Sequence, residues 1–161
     1  MSESITYQKA LVLLQRGYRH QMHGEFGDAI DLYRQSIAAH PTAEAHTYLG
    51  WAYSLLSRYE EAIEECRQAI DLDPTFGNPY NDIGSYLIEL GRWEEAIPWL
   101  EQATQSDRQD VSYFPLINLG RAYEHLGRAC TALQYYDRAL EIDPLHRPTL
   151  FAKYALLGRL N

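Results

Sequence analysis

Apolar residues recur every three or four positions along nearly the whole chain, with polar or charged residues between them. This spacing places the apolar side chains on one face of an α-helix, so it predicts a series of amphipathic helices. No segment shows the strict alternation of apolar and polar residues that is typical of a half-buried strand. We therefore expect helices at about residues 5–22, 26–39, 43–56, 59–71, 78–90, 93–105, 113–126, 129–141 and 147–159.

Prolines mark several of these helix boundaries. Asp-Pro pairs stand at 73–74 and 143–144, and because the residue before a proline avoids the helical backbone conformation, helices should end there. Pro79 and Pro115 fall in the first turns of the following helices, where a missing N–H group is harmless. Pro98 is compatible with a helix that begins only a few residues before it.

The helical pattern occurs four times along the chain. Three segments match closely, and a fourth matches until its end, where Arg108 stands in place of a proline. In chain order they read GEFGDAIDLYRQSIAAHP, SRYEEAIEECRQAIDLDP, GRWEEAIPWLEQATQSDR and GRACTALQYYDRALEIDP. Their shared small residues, spaced by 33, 34 and 36 positions, are Ala29, Ala62, Ala96 and Ala132. Since one helix pair cannot bury its own apolar face, such a period predicts a stack of similar pairs.

A second half precedes each shared alanine, reading LGWAY at 49–53, IGSYL at 83–87, LGRAY at 119–123 and, more loosely, RGYRH at 16–20. The two halves together resemble the tetratricopeptide repeat, whose pattern is W-x2-L-G-x2-Y, then A-x3-F, then P. The second copy carries this series as His46, Leu49, Gly50, Tyr53, Ala62, Cys66 and Pro74. The fourth copy carries it as Leu116, Leu119, Gly120, Tyr123, Ala132, Tyr136 and Pro144. The resemblance covers about residues 10–146.

The resemblance implies an all-α fold, a right-handed α-solenoid of four helix pairs with a C-terminal capping helix. We expect a single domain over residues 1–161, with repeats at about 10–42, 43–76, 77–110 and 113–146 and the capping helix at 147–159. The spacing from the third to the fourth copy exceeds the usual 34 by two residues, which predicts a longer loop within residues 104–114.

The predicted capping helix is apolar on more than one face. Leu150, Tyr154 and Leu157 form the stripe that we expect to cover the fourth repeat, whereas Leu156 and Leu160 point elsewhere. This second face either wraps onto the fourth pair, stays as scattered surface residues, or forms a homodimer contact.

Composition excludes several classes of partner. The 161 residues carry a net charge of −8, which argues against a phosphate backbone or an anionic membrane as the main partner. The first residues lack the basic and apolar regions of a signal peptide, and no run of 18 apolar residues could span a bilayer. The 2 cysteines have no metal-type spacing, so a reducing cytoplasm is the expected location.

Residues that could carry chemistry are few. His20 and His23 lie three positions apart on one helix, but zinc needs at least three protein ligands and no other has a clear reason to converge there. Cys66 takes a core position of the repeat, and Cys130 has no evident activating partner. The acidic run at 60–65 lacks the glycine turn of a calcium loop and suits a solvated outer face. We expect no catalysis, no cofactor and no metal site.

The resemblance also implies a site, because in this family the first helices of the pairs line a concave groove that binds peptides. Carried over position by position, the candidate groove residues are Tyr18, Tyr48, Trp51, Asn81, Asp82, Ser85, Asn118, Arg121 and Glu124. Helical register turns Trp51 toward the concavity, although packing against a neighbouring helix is the alternative. Asn81, Asn118 and Arg121 can bond a peptide main chain or be ordinary solvated surface.

Family members that bind chaperone tails hold a terminal carboxylate with lysine, arginine and asparagine at set groove positions. Here those positions carry Leu14, Tyr18, Asn78 and Asp82, so the basic half of that clamp is missing. The charged groove positions sum to −3, from Glu44, Asp82, Glu89 and Glu124 against Arg121.

The partner expected from this groove is a protein or peptide with apolar or aromatic anchors and a neutral-to-basic character. Nucleic acid and membrane insertion are not expected. A self-associating structural module, acting through the C-terminal helix or the groove as a homodimer, stays open as the alternative function.

Overall fold

The computed structural model describes residues 2–108, 110 and 112–160. Within them the chain forms nine α-helices and no strand. The helices are α1 (Ser2–Met22), α2 (Phe26–Ala39), α3 (Ala43–Leu55), α4 (Tyr59–Leu72), α5 (Asn78–Glu89), α6 (Trp93–Thr104), α7 (Phe114–His125), α8 (Ala129–Ile142) and α9 (Arg147–Leu160). These bounds agree with the predicted ones to within one residue, apart from the start of α1. The all-α prediction is confirmed.

Consecutive helices pack in pairs, and the pairs stack. The pairs are α1 with α2, α3 with α4, α5 with α6 and α7 with α8, each pair contacts the next, and α9 closes the stack against α8. The first helices, α1, α3, α5 and α7, also contact one another in succession. They form a continuous inner layer, which is where the candidate groove residues lie.

The two helices of a pair touch where a glycine of the first helix faces the second. A Cβ atom on Gly84 would lie 2.4 Å from Leu100, and one on Gly120 would lie 2.4 Å from the ring of Tyr136. Leu100 and Tyr136 are fully buried, so neither can move aside. The equivalent contacts in the other pairs are those of Gly17 with Tyr33 and of Gly50 with the carbonyl of Ala62.

Each first helix ends in the same type of turn. In it, a backbone N–H that follows the helix donates a hydrogen bond to a carbonyl near the C-terminal end of that helix. These bonds run from Arg58, Arg92 and Arg128 to Tyr53, Leu87 and Tyr123, at 3.0, 2.8 and 2.9 Å respectively. The turn needs one residue with a left-handed backbone, which glycine adopts most readily. Gly24, Gly91 and Gly127 supply it in three repeats, whereas Ser57 takes this conformation in the second, with φ of 58°.

The longer loop predicted before the fourth pair is confirmed. Helix α6 ends at Thr104 and α7 begins at Phe114, and the described loop residues fold back against the junction of the second and third repeats. The N–H of Gly77 donates to the carbonyl of Arg108 at 2.6 Å. The Arg108 guanidinium lies 4.4 Å from the ring centre of Phe76 and pairs with two carboxylates, those of Glu44 and Asp73.

The prediction for the capping helix was wrong in its register. Thr149 and Leu156 are the buried residues of α9, and Leu156 packs with Ala132 and Tyr136 of α8. Tyr154, which was expected to cover the fourth repeat, is 63% exposed. Because α9 carries apolar residues on several faces, periodicity alone cannot choose the inward one, and Leu150 and Leu157 of the predicted stripe are only half-buried. Leu160 does point away, as expected.

The acidic outer face of α4 is only partly solvated. Glu60, Glu61 and Glu64 are exposed, but Glu65 is half-buried and its carboxylate lies 2.6 Å from Nδ1 of His46. Cys66 is fully buried, as its place in the repeat predicts. None of the helices in the described residues combines the length and the apolar character that crossing a bilayer requires.

The close approach at Gly120 generates a first prediction. Gly120→Ala should lower the free energy of unfolding by about 1–3 kcal/mol, since the added methyl group meets a rigid ring that has no free space. Chemical denaturation followed by circular dichroism measures it. The matched control is Gly27→Ala in α2, where an added Cβ meets no atom within 4 Å. That change should be neutral or slightly stabilising, and equal losses in both variants would contradict the explanation.

The turn after α3 generates a second prediction. Ser57→Gly should raise the free energy of unfolding by about 0.5–1 kcal/mol, because glycine removes the steric cost of the left-handed backbone. The reverse change, Gly91→Ser, should lower it by a similar amount. If both variants shift thermal unfolding in the same direction, backbone strain is not the cause.

Candidate binding groove

The inner layer of first helices carries a cavity of about 510 Å³. It opens between α1, α3, α5, the start of α7 and the loop at 105–113. Its lining consists of Tyr18, Thr47, Tyr48, Trp51, Asn78, Asn81, Asp82, Asp110 and Phe114. Five of the nine candidate groove residues therefore meet in one place. The volume lies within the usual range for small-ligand pockets.

Three aromatic rings form one wall of this cavity. The ring centres of Tyr18 and Tyr48 are 5.7 Å apart, and Trp51 lies 6.5 Å from the first and 6.3 Å from the second. Tyr48 also stacks on the buried ring of Tyr33 at 5.9 Å, which connects the wall to the core. Tyr33 in turn donates to Oε1 of Gln21 at 2.8 Å. Trp51 is half-buried against these rings and not inside the helix stack.

Asp82 is the unusual ionisable group of the cavity. The pKa of its carboxyl is raised to about 7, chiefly by burial, while a bond from the Asn81 amide lowers it and the nearby charge of Asp110 raises it. That bond is long, 3.4 Å from Nδ2 of Asn81 to Oδ1 of Asp82. Near neutral pH the carboxyl is thus divided between its neutral and charged forms.

The amides of the groove bond to one another. Nδ2 of Asn118 donates to Oδ1 of Asn81 at 3.0 Å, and Arg121 donates to Oδ1 of Asn118 at 3.1 Å. The same guanidinium donates to Glu89 at 2.7 Å. Arg121, which the sequence presents as a lone cation among acids, therefore spans α5 and α7 as a bridge. Ser85 lies half-buried on α5, one turn beyond Asn81.

Glu124 lies away from the main cavity, at the C-terminal end of the stack. It accepts from the Tyr136 hydroxyl at 2.8 Å and pairs with Arg159 of α9. Burial raises the pKa of that hydroxyl, and its bond to Glu124 adds to the effect. Glu124 and Arg121 line a second, smaller cavity of about 340 Å³ with Phe151. Seven of the nine candidates thus line one of these two cavities, and Ser85 and Asn118 are not among the lining residues of either.

Sequence reasoning missed Asp110. Its backbone N–H donates to Oδ1 of Asn78 at 3.0 Å, and Nδ2 of Asn78 donates back to its carboxylate at 2.5 Å. This reciprocal pair fixes the loop against the start of α5. Asp110 lies outside the repeat pattern, so no family position could point to it. The only available signal was the longer spacing before the fourth copy.

A neighbouring cavity of about 420 Å³ holds the one arginine in this region of the described chain. Arg108 lines it together with Glu44, Phe76 and Asp110. Because Arg108 already pairs with Glu44 and Asp73, its charge is held there. The lining of the main cavity contains two carboxylates and no lysine or arginine among the described residues.

One group of described residues has ligand atoms close enough to share a metal ion. Those of His20, Glu25 and Asp28 lie within 4.8 Å of one another at the turn between α1 and α2. The His20 ring contacts the Glu25 carboxylate directly, so these two groups already satisfy each other, and both acids are exposed.

Comparison with known proteins shows similarity over most of the chain. Three family models, each described as tetratricopeptide repeat, match residues 14–75, 55–117 and 115–144. Small glutamine-rich tetratricopeptide repeat-containing protein 2 of Mycosarcoma maydis is 28% identical over 100 residues, which are 62% of this chain and 28% of that protein. The chain therefore spans little more than a quarter of this relative.

Two solved structures are informative about the fold. That of Pseudomonas aeruginosa pilF superposes with a TM-score of 0.87 at 23% identity, over 96% of this chain and 70% of that one. The first TPR of Spaghetti (RPAP3), bound to the HSP90 peptide SRMEEVD, gives a TM-score of 0.69 at 25% identity, over 75% of this chain and 95% of that one. With its stacked helix pairs and matching repeats, the chain belongs to the tetratricopeptide repeat family.

Proposed function

We propose that this chain is a non-catalytic interaction module that binds a peptide segment of a partner protein along the inner layer of α1, α3, α5 and α7. The observation that carries this proposal is the cavity of about 510 Å³ between exposed aromatic rings and groove amides. Tyr18 and Phe114 in its lining are 41% and 43% exposed, so their rings are accessible to a partner. The Spaghetti repeat with its bound peptide supports this use of the fold.

The partner's chemistry follows from the groove. Tryptophan and tyrosine are favoured interface anchors because they bury a large area at a small rotamer cost. We infer apolar or aromatic anchors on a neutral-to-basic segment, since Asp82 and Asp110 would repel acidic chains. An acidic chaperone tail is disfavoured, because none of the four clamp positions, Leu14, Tyr18, Asn78 and Asp82, carries a basic residue. The free cysteines, Cys66 buried and Cys130 exposed, support a cytoplasmic location.

Self-association is a second candidate function, and exposed apolar residues near the C-terminal end favour it. Leu145, Phe151 and Tyr154 are 83%, 78% and 63% exposed, and Leu160 is 54% exposed. Exposed apolar patches of this kind often mark protein contacts. Under this proposal, two copies would meet through the outer face of α9.

The groove proposal is tested with peptides selected from a random library displayed on phage against the unmodified protein. Trp51→Ala should weaken the selected peptides by about 30-fold or more, equivalent to about 2 kcal/mol, because it removes the largest ring of the wall. Isothermal titration measures the affinity, and circular dichroism verifies that the fold is intact.

The control for this test lies on the opposite side of the stack. Glu64 and Asp71 are exposed on α4, and Glu64→Lys with Asp71→Lys changes charge without touching the cavity. This variant should bind as the unmodified protein does. Loss of binding in the control, with Trp51→Ala unaffected, would place the site on the outer face.

Self-association is tested by light scattering over a dilution series. If α9 joins two copies, the molar mass should fall from dimer to monomer on dilution, and Phe151→Glu should be monomeric throughout, because a charge cannot be buried there without a partner. A monomeric mass for the unmodified chain at every concentration would eliminate this candidate.

A further inference from the structure

The acidic residues of the inner layer differ in one respect. Glu44, Glu89 and Glu124 each pair with an arginine of this chain, namely Arg108, Arg121 and Arg159. Asp82 and Asp110 have only asparagine amides as hydrogen-bond partners among the described residues. Both carboxylates line the main cavity, and neither forms an ion pair with an arginine or lysine of the described chain, whose nearest arginine in this region, Arg108, is paired with Glu44 and Asp73.

The cost of this arrangement falls on Asp82. Removing a carboxyl group from water without a nearby cation destabilises its charged form. The one amide bond that Asp82 accepts, from Asn81, is long, and the negative charge of Asp110 further disfavours ionisation of Asp82. The neighbouring bond that joins α7 to α5 is made between the Asn118 and Asn81 amides and does not use the Asp82 carboxylate. The site therefore has an acceptor for a cation that must come from outside the chain.

The rings beside these carboxylates favour the same kind of ligand. A cation over the face of tryptophan or tyrosine is attracted by the ring's electrons, and the attraction is stronger when water is excluded. Tyr48 and Trp51 stand on one side of the cavity and Phe114 lines it as well. The chain already uses this contact nearby, where the Arg108 guanidinium lies over Phe76.

We propose that the cavity receives an arginine side chain of the partner peptide, with its guanidinium among Tyr48, Trp51 and Phe114 and paired with Asp82 and Asp110. This inference rests on the proposed function, and it names the side chain that the groove selects. Arginine fits better than lysine, because a planar guanidinium can stack on a ring while its N–H groups donate to two carboxylates.

The site should be sensitive to pH through Asp82. The titratable groups around it are Tyr18 from α1, Tyr48 from α3, Cys66 from α4, Tyr86 from α5 and Asp110 from the loop, and Glu44 of α3 lines the neighbouring cavity. Burial raises the pKa of the Tyr48, Cys66 and Tyr86 groups, so these stay neutral near pH 7, and Glu44 is paired with Arg108. The lining of the cavity contains no histidine among the described residues.

The sign of the dependence follows from which form binds. The guanidinium binds the ionised carboxylate, and the Asp82 carboxyl, with its pKa near 7, is mostly protonated at pH 6 and mostly ionised at pH 8. Binding should therefore tighten by about tenfold between pH 6 and pH 8. Asp82→Asn should bind weakly at both values.

The test uses two small probes and the full chain. N-acetyl-arginine amide and N-acetyl-citrulline amide have nearly the same shape, but only the first is charged. Amide shifts in two-dimensional NMR should show saturable binding of the arginine probe at α3 and α5, with the citrulline probe at least tenfold weaker. Equal binding of the two probes, or undiminished arginine binding by Asp82→Asn, would overturn the proposal.

Two controls separate a binding role from a structural one. Asp82→Asn should raise the melting temperature at pH 8 by about 2–6 °C, because it removes a carboxylate that is costly to ionise there. A loss of binding in a more stable protein cannot come from unfolding, whereas a fall in melting temperature would show that Asp82 holds the fold and would contradict the proposal. Asp107→Asn removes the same charge from the neighbouring cavity and should leave probe binding unchanged.

The peptides selected for the groove distinguish this inference from the function it rests on. Replacing arginine by citrulline in a selected peptide should weaken it at least tenfold against the unmodified protein and have little effect against Asp82→Asn. Peptides that need Trp51 but are indifferent to this replacement would refute the arginine site and leave the groove function standing. If no peptide binds the groove, that function fails, and the two small probes still decide whether the cavity binds a guanidinium.

Discussion

The structure depends on one contact that recurs in every pair, a glycine of the first helix against the second helix. At Gly84 and Gly120 the facing side chain of the second helix lies so close to the glycine that a Cβ atom would have no room. This approach sets how near the two helices lie, and so it determines where the next pair must stack. It also aligns the first helices in one layer. The groove is therefore a consequence of packing on the opposite side of the same helices.

The same constraint explains why the fold could be predicted from the sequence. Four copies of a small-residue pattern leave few arrangements of helices, and the period fixes their order. The capping helix lacks such a pattern, because α9 carries apolar residues on several faces and its buried Thr149 is a polar residue that the sequence would place at the surface. Its inward face is decided by fit against Tyr136, which only the folded chain reveals. The left-handed backbone of Ser57 could not be predicted for a related reason, since the turn imposes this conformation and serine itself does not favour it.

The candidate site was predictable in part. Repeat positions identify Tyr18, Tyr48 and Trp51 as inner-layer residues, and the structure brings them together around one cavity. Repeat positions cannot show which polar side chains are already hydrogen-bonded to one another within the chain. The bridge from Glu89 through Arg121 to Asn118 joins two repeats, so it depends on how pairs stack. Asp110 belongs to a loop without a repeat position, and its place beside Asn78 depends on how the extra residues fold back.

The electrostatic character of the groove depends on which charged side chains have no ion-pair partner within the described chain, and not on the net charge of the groove. Three arginines neutralise three glutamates by bridging helices or joining a loop to them, and each such pair also holds repeats together. Each of these cations already has an acidic partner within the chain, so a ligand would have to compete with that partner for it. The carboxylates that remain, Asp82 and Asp110, line the cavity together with aromatic rings, where α1, α3, α5, the start of α7 and the loop meet. A solenoid that uses its cations to join its repeats is thereby left with a negative pocket at its centre. The preference that we propose for a basic partner would thus follow from the way the repeats are joined.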